Sequence, residues 1–283
     1  MTTTTLRLPG RIERLPQLRR IVRGGLAARG SIGAGLAAKA GGAAAWSPTL
    51  LTSLSGWWDF SDRATLFKND AGTDSCEDND KIAYIVDKSG NAKHASQTND
   101  TYRPTIKAAI QNGLSAANLT TQYNFWIVPS LLCLEIFAVF KITTFSGESI
   151  NYNQPGILVD GNSTIGGNSN YGGPGYIRTV HWNGSWYVGP QVAASGNTTY
   201  LFHDILTPAT KLEMQLNGGT IATISDAGFV AGRAVTRMGR TQSWATIRSI
   251  NGYLMEIIVC GAAQTAANRT ACHSYLNSKW AIY

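Results

Sequence analysis

Residues 199–225, TYLFHDILTPATKLEMQLNGGTIATIS, contain three short β-type runs: Thr199–Leu206, Lys211–Leu216 and Thr220–Ser225. Asn217-Gly218 separates the last two and is a hairpin signal. A tight turn of the primed type needs positive φ, which Asn-Gly adopts at low cost. The same pattern extends outward in both directions, to Lys81–Val86, Leu134–Ile142, Gly156–Asp160, Tyr176–Trp182, Ser185–Val188, Ala234–Gly239 and Leu254–Cys260, with a second such turn at Asn183-Gly184. Only Thr265–Trp280 reads as helix, with Ala267, Ala271, Tyr275 and Leu276 as its apolar stripe and Thr265 as its cap. Many strands with one terminal helix predict an all-β, two-sheet sandwich over residues 46–283.

The totals agree with that class. The chain has 283 residues, 43% hydrophobic and 14% charged, too apolar and too weakly charged for disorder throughout. Thirty glycines and 27 aromatics favour strands and turns over amphipathic helices, whose polar faces need Lys and Glu. No run of roughly eighteen uncharged apolar residues occurs, so no membrane-spanning helix is expected. Cys76, Cys133, Cys260 and Cys272 lack CxxC spacing, which argues against zinc ribbons and redox pairs and for free buried thiols, with one disulfide as the alternative.

The formal charge of +7 is local. Residues 1–45 carry eight basic side chains against Glu13 alone, whereas residues 46–283 carry 16 of each sign. Residues 6–23 set Leu and Ile between the arginines, and Leu15, Leu18, Ile21 and Val22 fall on one face of a short helix after Pro16. Residues 24–45 are largely Gly and Ala. Arg29 and Lys39 interrupt the only candidate core of a secretory signal, and a transit peptide has composition alone in its favour. The expectation is an extended basic arm that orders on a partner, anchored by Arg7, Arg11, Arg14, Leu15, Leu18, Arg19, Arg20, Ile21 and Arg23. Its Leu/Ile content favours a protein surface over nucleic acid.

Specific residues carry a resemblance. They are Gly56-Trp57-Trp58-Asp59-Phe60-Ser61-Asp62, Ala64-Thr65-Leu66-Phe67, Asp70-Ala71-Gly72-Thr73, Ile85-Val86-Asp87-Lys88-Ser89-Gly90-Asn91, His94-Ala95-Ser96-Gln97 and Arg103-Pro104-Thr105, with Asn251 to Val259 and Ala271 to Trp280 at the other end. Over residues 54–283 the chain resembles concanavalin A-like, laminin G-like jelly-roll domains, which are frequent in tailed-bacteriophage structural proteins and bacterial surface proteins. The resemblance implies a last core strand and closing helix near the end, and it implies little about function. Turn chemistry alone accounts for Asp87 to Asn91, and Trp57, Trp58 and Phe60 read as core.

Glucan-cleaving enzymes of this fold alternate carboxylates along one strand. Here Glu135 is followed on its face by Phe137 and Val139, Glu213 by Gln215 and Asn217, and Glu256 by Ile258 and Cys260. No nucleophile elbow or phosphate loop occurs, and His94, His181, His203 and His273 lack ligand spacing. These absences predict no enzyme and no catalytic residues. The acidic loop from Asp70 to Asp80 offers Asp74, Glu77, Asp78 and Asp80 as a weak Ca²⁺ site, the alternative being a solvated loop without any cofactor. Tyr171, Tyr176, Trp182, Trp186 and Tyr187, set among Gly and Asn, form a candidate glycan platform, the alternative being cross-strand packing. Together these readings predict a phage virion structural protein, a capsid decoration or a tail or fibre appendage, homo-oligomeric at the particle surface and held to other virion proteins by residues 1–45. The alternative is an adhesin recognising a host-surface glycan.

Overall fold

The computed structural model describes residues 46–119, 123–145, 156–160, 163–169, 175–182, 186–225, 232–240 and 250–283. The basic arm, its anchoring residues and its helical stripe lie outside these residues, as do Asn183-Gly184 and Tyr171. No helix among the described residues is long and apolar enough to cross a membrane.

Two antiparallel sheets face each other, with strands numbered in chain order. Sheet A contains β1 (Leu54–Asp59), β5 (Thr105–Gln111), β6 (Leu114–Asn118), β8 (Glu135–Ile142), β13 (Thr198–Thr207), β14 (Lys211–Leu216), β15 (Ala222–Ser225) and β17 (Gly252–Cys260). Sheet B contains β2 (Leu66–Phe67), β3 (Tyr84–Ile85), β4 (Ala95–Ser96), β7 (Trp126–Cys133), β9 (Leu158–Asp160), β10 (Ser163–Ser169), β11 (Tyr176–Trp182), β12 (Trp186–Ala193) and β16 (Arg233–Met238). The helix α1 (Ala266–Trp280) covers the outer face of sheet A. The two-sheet sandwich with a short C-terminal helix is therefore the observed fold. Asn217 and Gly218 both adopt positive φ, 50° and 65°, as their hairpin requires. The strand expected over Lys81–Val86 contracts to Tyr84–Ile85, with one isolated bridge from Lys81 to Thr105.

Strand β8 shows why the middle of sheet A is so apolar. Ile136, Ala138, Phe140 and Ile142 enter the core between the sheets, while Phe137 and Val139 enter the layer beneath α1. A strand covered on both faces has no position for a solvated side chain. A buried ion pair crosses the inter-sheet core: Arg233 Nη2 lies 2.6 Å from Asp204 Oδ1, and Thr179 Oγ1 donates to Asp204 Oδ2 at 2.6 Å.

The Asp87 turn is built from its own side chains. Asp87 Oδ1 accepts from the Trp57 and Ser89 amides, Oδ2 accepts from Ser89 Oγ and the Lys93 amide, and Asn91 Nδ2 donates to the Leu54 carbonyl. This fastens the turn to β1. All four cysteines are free and buried, and burial pushes the Cys76 thiol up to about 11.

Helix α1 begins as expected, with Thr265 Oγ1 accepting from the Asn268 amide at 3.2 Å. Its buried stripe differs from the expected one. Cys272, Leu276 and Trp280, spaced four apart, face sheet A, whereas Ala267 is exposed and Ala271 and Tyr275 are half-buried. The helix stops at Ala281, whose left-handed φ of 49° turns Ile282 and Tyr283 back across the sheet. Asn277 holds that turn, its Oδ1 accepting from both amides and its Nδ2 donating to the Tyr283 carbonyl. Tyr283 consequently reaches Gly218, where a Cβ would stand 2.9 Å from its hydroxyl oxygen.

Candidate functional site

A groove of about 490 Å³ opens between α1 and the β13–β14 side of sheet A. Ile221 and the Tyr283 ring, both exposed, form apolar parts of its lining, Gln215 and Ser274 contribute polar groups, and His203 and His273 lie against Glu135 below. The register explains the convergence. Glu135 opposes Ile205 and Phe137 opposes His203, so Glu135 and His203 are diagonal neighbours on one face of adjacent strands. Arg269 and His273, four apart on α1, lie above them.

Glu135 has no solvent exposure, and four donors meet its oxygens. Arg269 Nε and Nη2 each lie at 2.9 Å, the Gln264 amide at 2.8 Å and His203 Nε2 at 2.8 Å. Burial alone would raise this carboxyl, but the His203, Arg269 and Gln264 donors outweigh it and hold it down at about 2. His203 Nε2 donates to the ionised Glu135 carboxylate. Its Nδ1 lies 3.1 Å from Nε2 of His273, and a hydrogen bond joins the two rings. Burial and the adjacent His203 hold the His273 imidazole down at about 4, so it is neutral near pH 7. Phe137 stacks on His203 at 4.2 Å and meets His273 edge-on, fixing both rings.

A second buried carboxylate lies beneath the same helix. Glu256 on β17 stands directly opposite Asp59 on β1, and both carboxylates lie 2.8 Å from Lys279 Nζ. Trp57 Nε1, Tyr275 Oη and Trp280 Nε1 each donate to Glu256 at 2.9 Å. Burial and the neighbouring Asp59 push the Glu256 carboxyl up. At Asp59 burial acts in the same upward sense, but Lys279, Ser61 and Lys88 hold that carboxyl low. The two carboxylates meet across strands, whereas along β17 itself Glu256 is followed on its face by Ile258 and Cys260. Glu256 has no solvent exposure, so the pair consolidates the layer under α1.

The other expected sites fare differently. Asp74, Glu77, Asp78 and Asp80 do not converge. Asp74 pairs with Lys68 at 3.2 Å, Asp78 accepts from the Ala108 amide, Asp80 accepts from the Glu77 amide, and Glu77 is exposed. Among the described residues no three such side chains gather around one point. Of the glycan platform, Tyr176 is half-buried at the start of β11, and Trp182 opposes Trp186 across the β11–β12 pair, with Tyr187 next on β12. Of the histidines, the fold brings His203 and His273 into contact.

No protein-family model matches the sequence, and no curated protein matches it. Solved structures do share the fold. Domain 4 of an extracellular arabinanase from Geobacillus stearothermophilus, in complex with arabinotriose, superposes with a TM-score of 0.51 at 13% identity, over 77% of this chain and 97% of that one. An arabinofuranosidase complexed with arabinofuranosyl-α-1,2-xylobiose superposes with a TM-score of 0.52 at 14% identity, over 83% of this chain and 60% of that one. The chain shares their concanavalin-like β-sandwich fold. These matches also correct the expectation of a chain apart from enzymes, since both solved structures belong to glycoside-acting enzymes.

Proposed function

We propose that this chain is a carbohydrate-binding module whose ligand lies in the groove between α1 and sheet A. The observation that carries the reading is the lining of the groove. An exposed tyrosine ring gives a flat apolar face, and amide, hydroxyl and imidazole groups lie near it, the combination that recognises a sugar ring by its face and its hydroxyls. That the sugar-complexed arabinanase domain has the same fold supports the reading. The full chain is expected to bind oligosaccharides on a glycan array, with arabinotriose as a first probe, and Tyr283→Ala is expected to abolish detectable binding. Unchanged binding by the variant would refute this site.

The finer reading is that the module is carried on an assembly by its basic arm. It rests on the +7 charge confined to residues 1–45 and on the resemblance of residues 54–283 to domains of phage structural proteins. The arm would engage acidic neighbouring subunits electrostatically and bury Leu8, Ile12, Leu15, Leu18 and Ile21 against them. A chain lacking residues 1–45 should fold and keep its glycan binding but fail to enter the particle. Incorporation without the arm would sink this part.

A further inference from the structure

We infer that the groove selects neutral oligosaccharides and rejects acidic ones, an inference that rests on the glycan reading above. A site for uronates or sialates needs an uncommitted cation. Among the described lining residues the only permanent cation is Arg269, and two of its nitrogens already bind the buried Glu135 carboxylate. The groups around the groove can be taken element by element. Strand β8 places Glu135 beneath it, β13 supplies His203, and β14 supplies the neutral Gln215, with Glu213 nearby acting on Arg269 and itself paired to Lys211 at 2.9 Å. Helix α1 supplies Arg269 and His273. An entering carboxylate would lose hydration, find no free positive partner, and stand near Glu135 and Glu213.

A sugar hydroxyl meets the opposite situation. Glu135, His203 and His273 are joined through His203 Nε2 and then through His203 Nδ1 and His273 Nε2, which leaves the second nitrogen of His273, Nδ1, outside these bonds. A sugar hydroxyl both donates and accepts, so it can bond to that nitrogen and to Ser274, Thr270 and Gln215. Glu135 and His203 are then positioning residues, since their contacts fix the His273 ring.

The test is calorimetric titration of the full chain at pH 7 with arabinotriose, xylotriose and maltotriose against trigalacturonate and sialyllactose. At least one neutral trisaccharide should bind about tenfold or more tightly than either acidic one, a gap of about 1.4 kcal/mol. Its affinity should be insensitive to NaCl, because no ion pair forms. The gap should also narrow as pH is lowered through about 4, where a proton makes His273 a cation in the groove. Glu135→Gln, which frees Arg269, should narrow the gap. Should that variant fail to fold, the salt and pH profiles of the native chain decide the matter. Equal or tighter, salt-sensitive binding of an acidic sugar would overturn the selectivity while leaving a glycan site in place. Binding of no sugar at all would overturn both.

Discussion

Glu135 and Glu256 lie in one layer beneath one helix, each without solvent exposure, yet they are met by different groups. Glu256 is met by two indoles, a phenol and an ammonium, and the ammonium is shared with Asp59. Glu135 is met by an imidazole, which has a second nitrogen and passes the hydrogen-bond order through His273 to the groove. The chemical type of the donor therefore separates a structural carboxylate from one that organises a site.

The largest effect is expected at the Glu256 cluster. Glu256→Ala leaves the Trp57 and Trp280 indoles and the Tyr275 hydroxyl without their common acceptor, while Lys279 keeps Asp59, and denaturant unfolding should show a loss of about 3 kcal/mol or more, since each stranded buried donor costs about 1–3 kcal/mol. His203→Phe should cost less, about 1–3 kcal/mol, because Arg269 and Gln264 still satisfy Glu135. The same substitution should move the NMR titration of His273 upward from about 4 while leaving it below 6.5, because burial, the larger cause, remains. If His273 titrates unchanged, the two imidazoles are not coupled.

The pH dependence separates the clusters further. His273 has a folded value below its ordinary 6.5, so the unfolded chain binds the proton more tightly. Its stabilising contribution is full above pH 6.5 and is lost as pH falls towards 4. Glu135 follows, its contribution being present above pH 4.5 and lost as pH falls towards 2. The melting temperature should fall by a few degrees across the first window, and His273→Gln should flatten that window alone. The smallest effect is expected on the acidic loop, where Lys68→Ala removes only surface pairs with Asp74 and Asp80 and should leave the denaturant midpoint unchanged.

Much of the sandwich was legible in local pattern. Tyr176–Trp182 and Lys211–Leu216 occur as strands with the bounds their periodicity predicts. Strands β5, β7 and β10 did not stand out, each for a physical reason. The first is interrupted by alanines, the last by glycines, and β7 carries Pro129 within the stretch where its register with β16 shifts. One available signal was passed over: Asn112-Gly113, both with positive φ, turns β5 into β6. The groove was not legible because Glu135, His203 and the α1 pair Arg269 and His273 are far apart in sequence and meet only through strand register and helix docking. Still, a lone carboxylate inside the apolar runs of β8 and β17 signals a buried charge, and such a charge requires partners.

The direct test of the central claim compares two surfaces of one sandwich. Calorimetric titration of the full chain with the oligosaccharide it binds best, carried out on Tyr283→Ala and Trp186→Ala in parallel, should show binding lost in the first variant and retained in the second. Loss in Trp186→Ala with Tyr283→Ala unaffected would place the ligand on the β11–β12 strands and contradict the assignment to the groove.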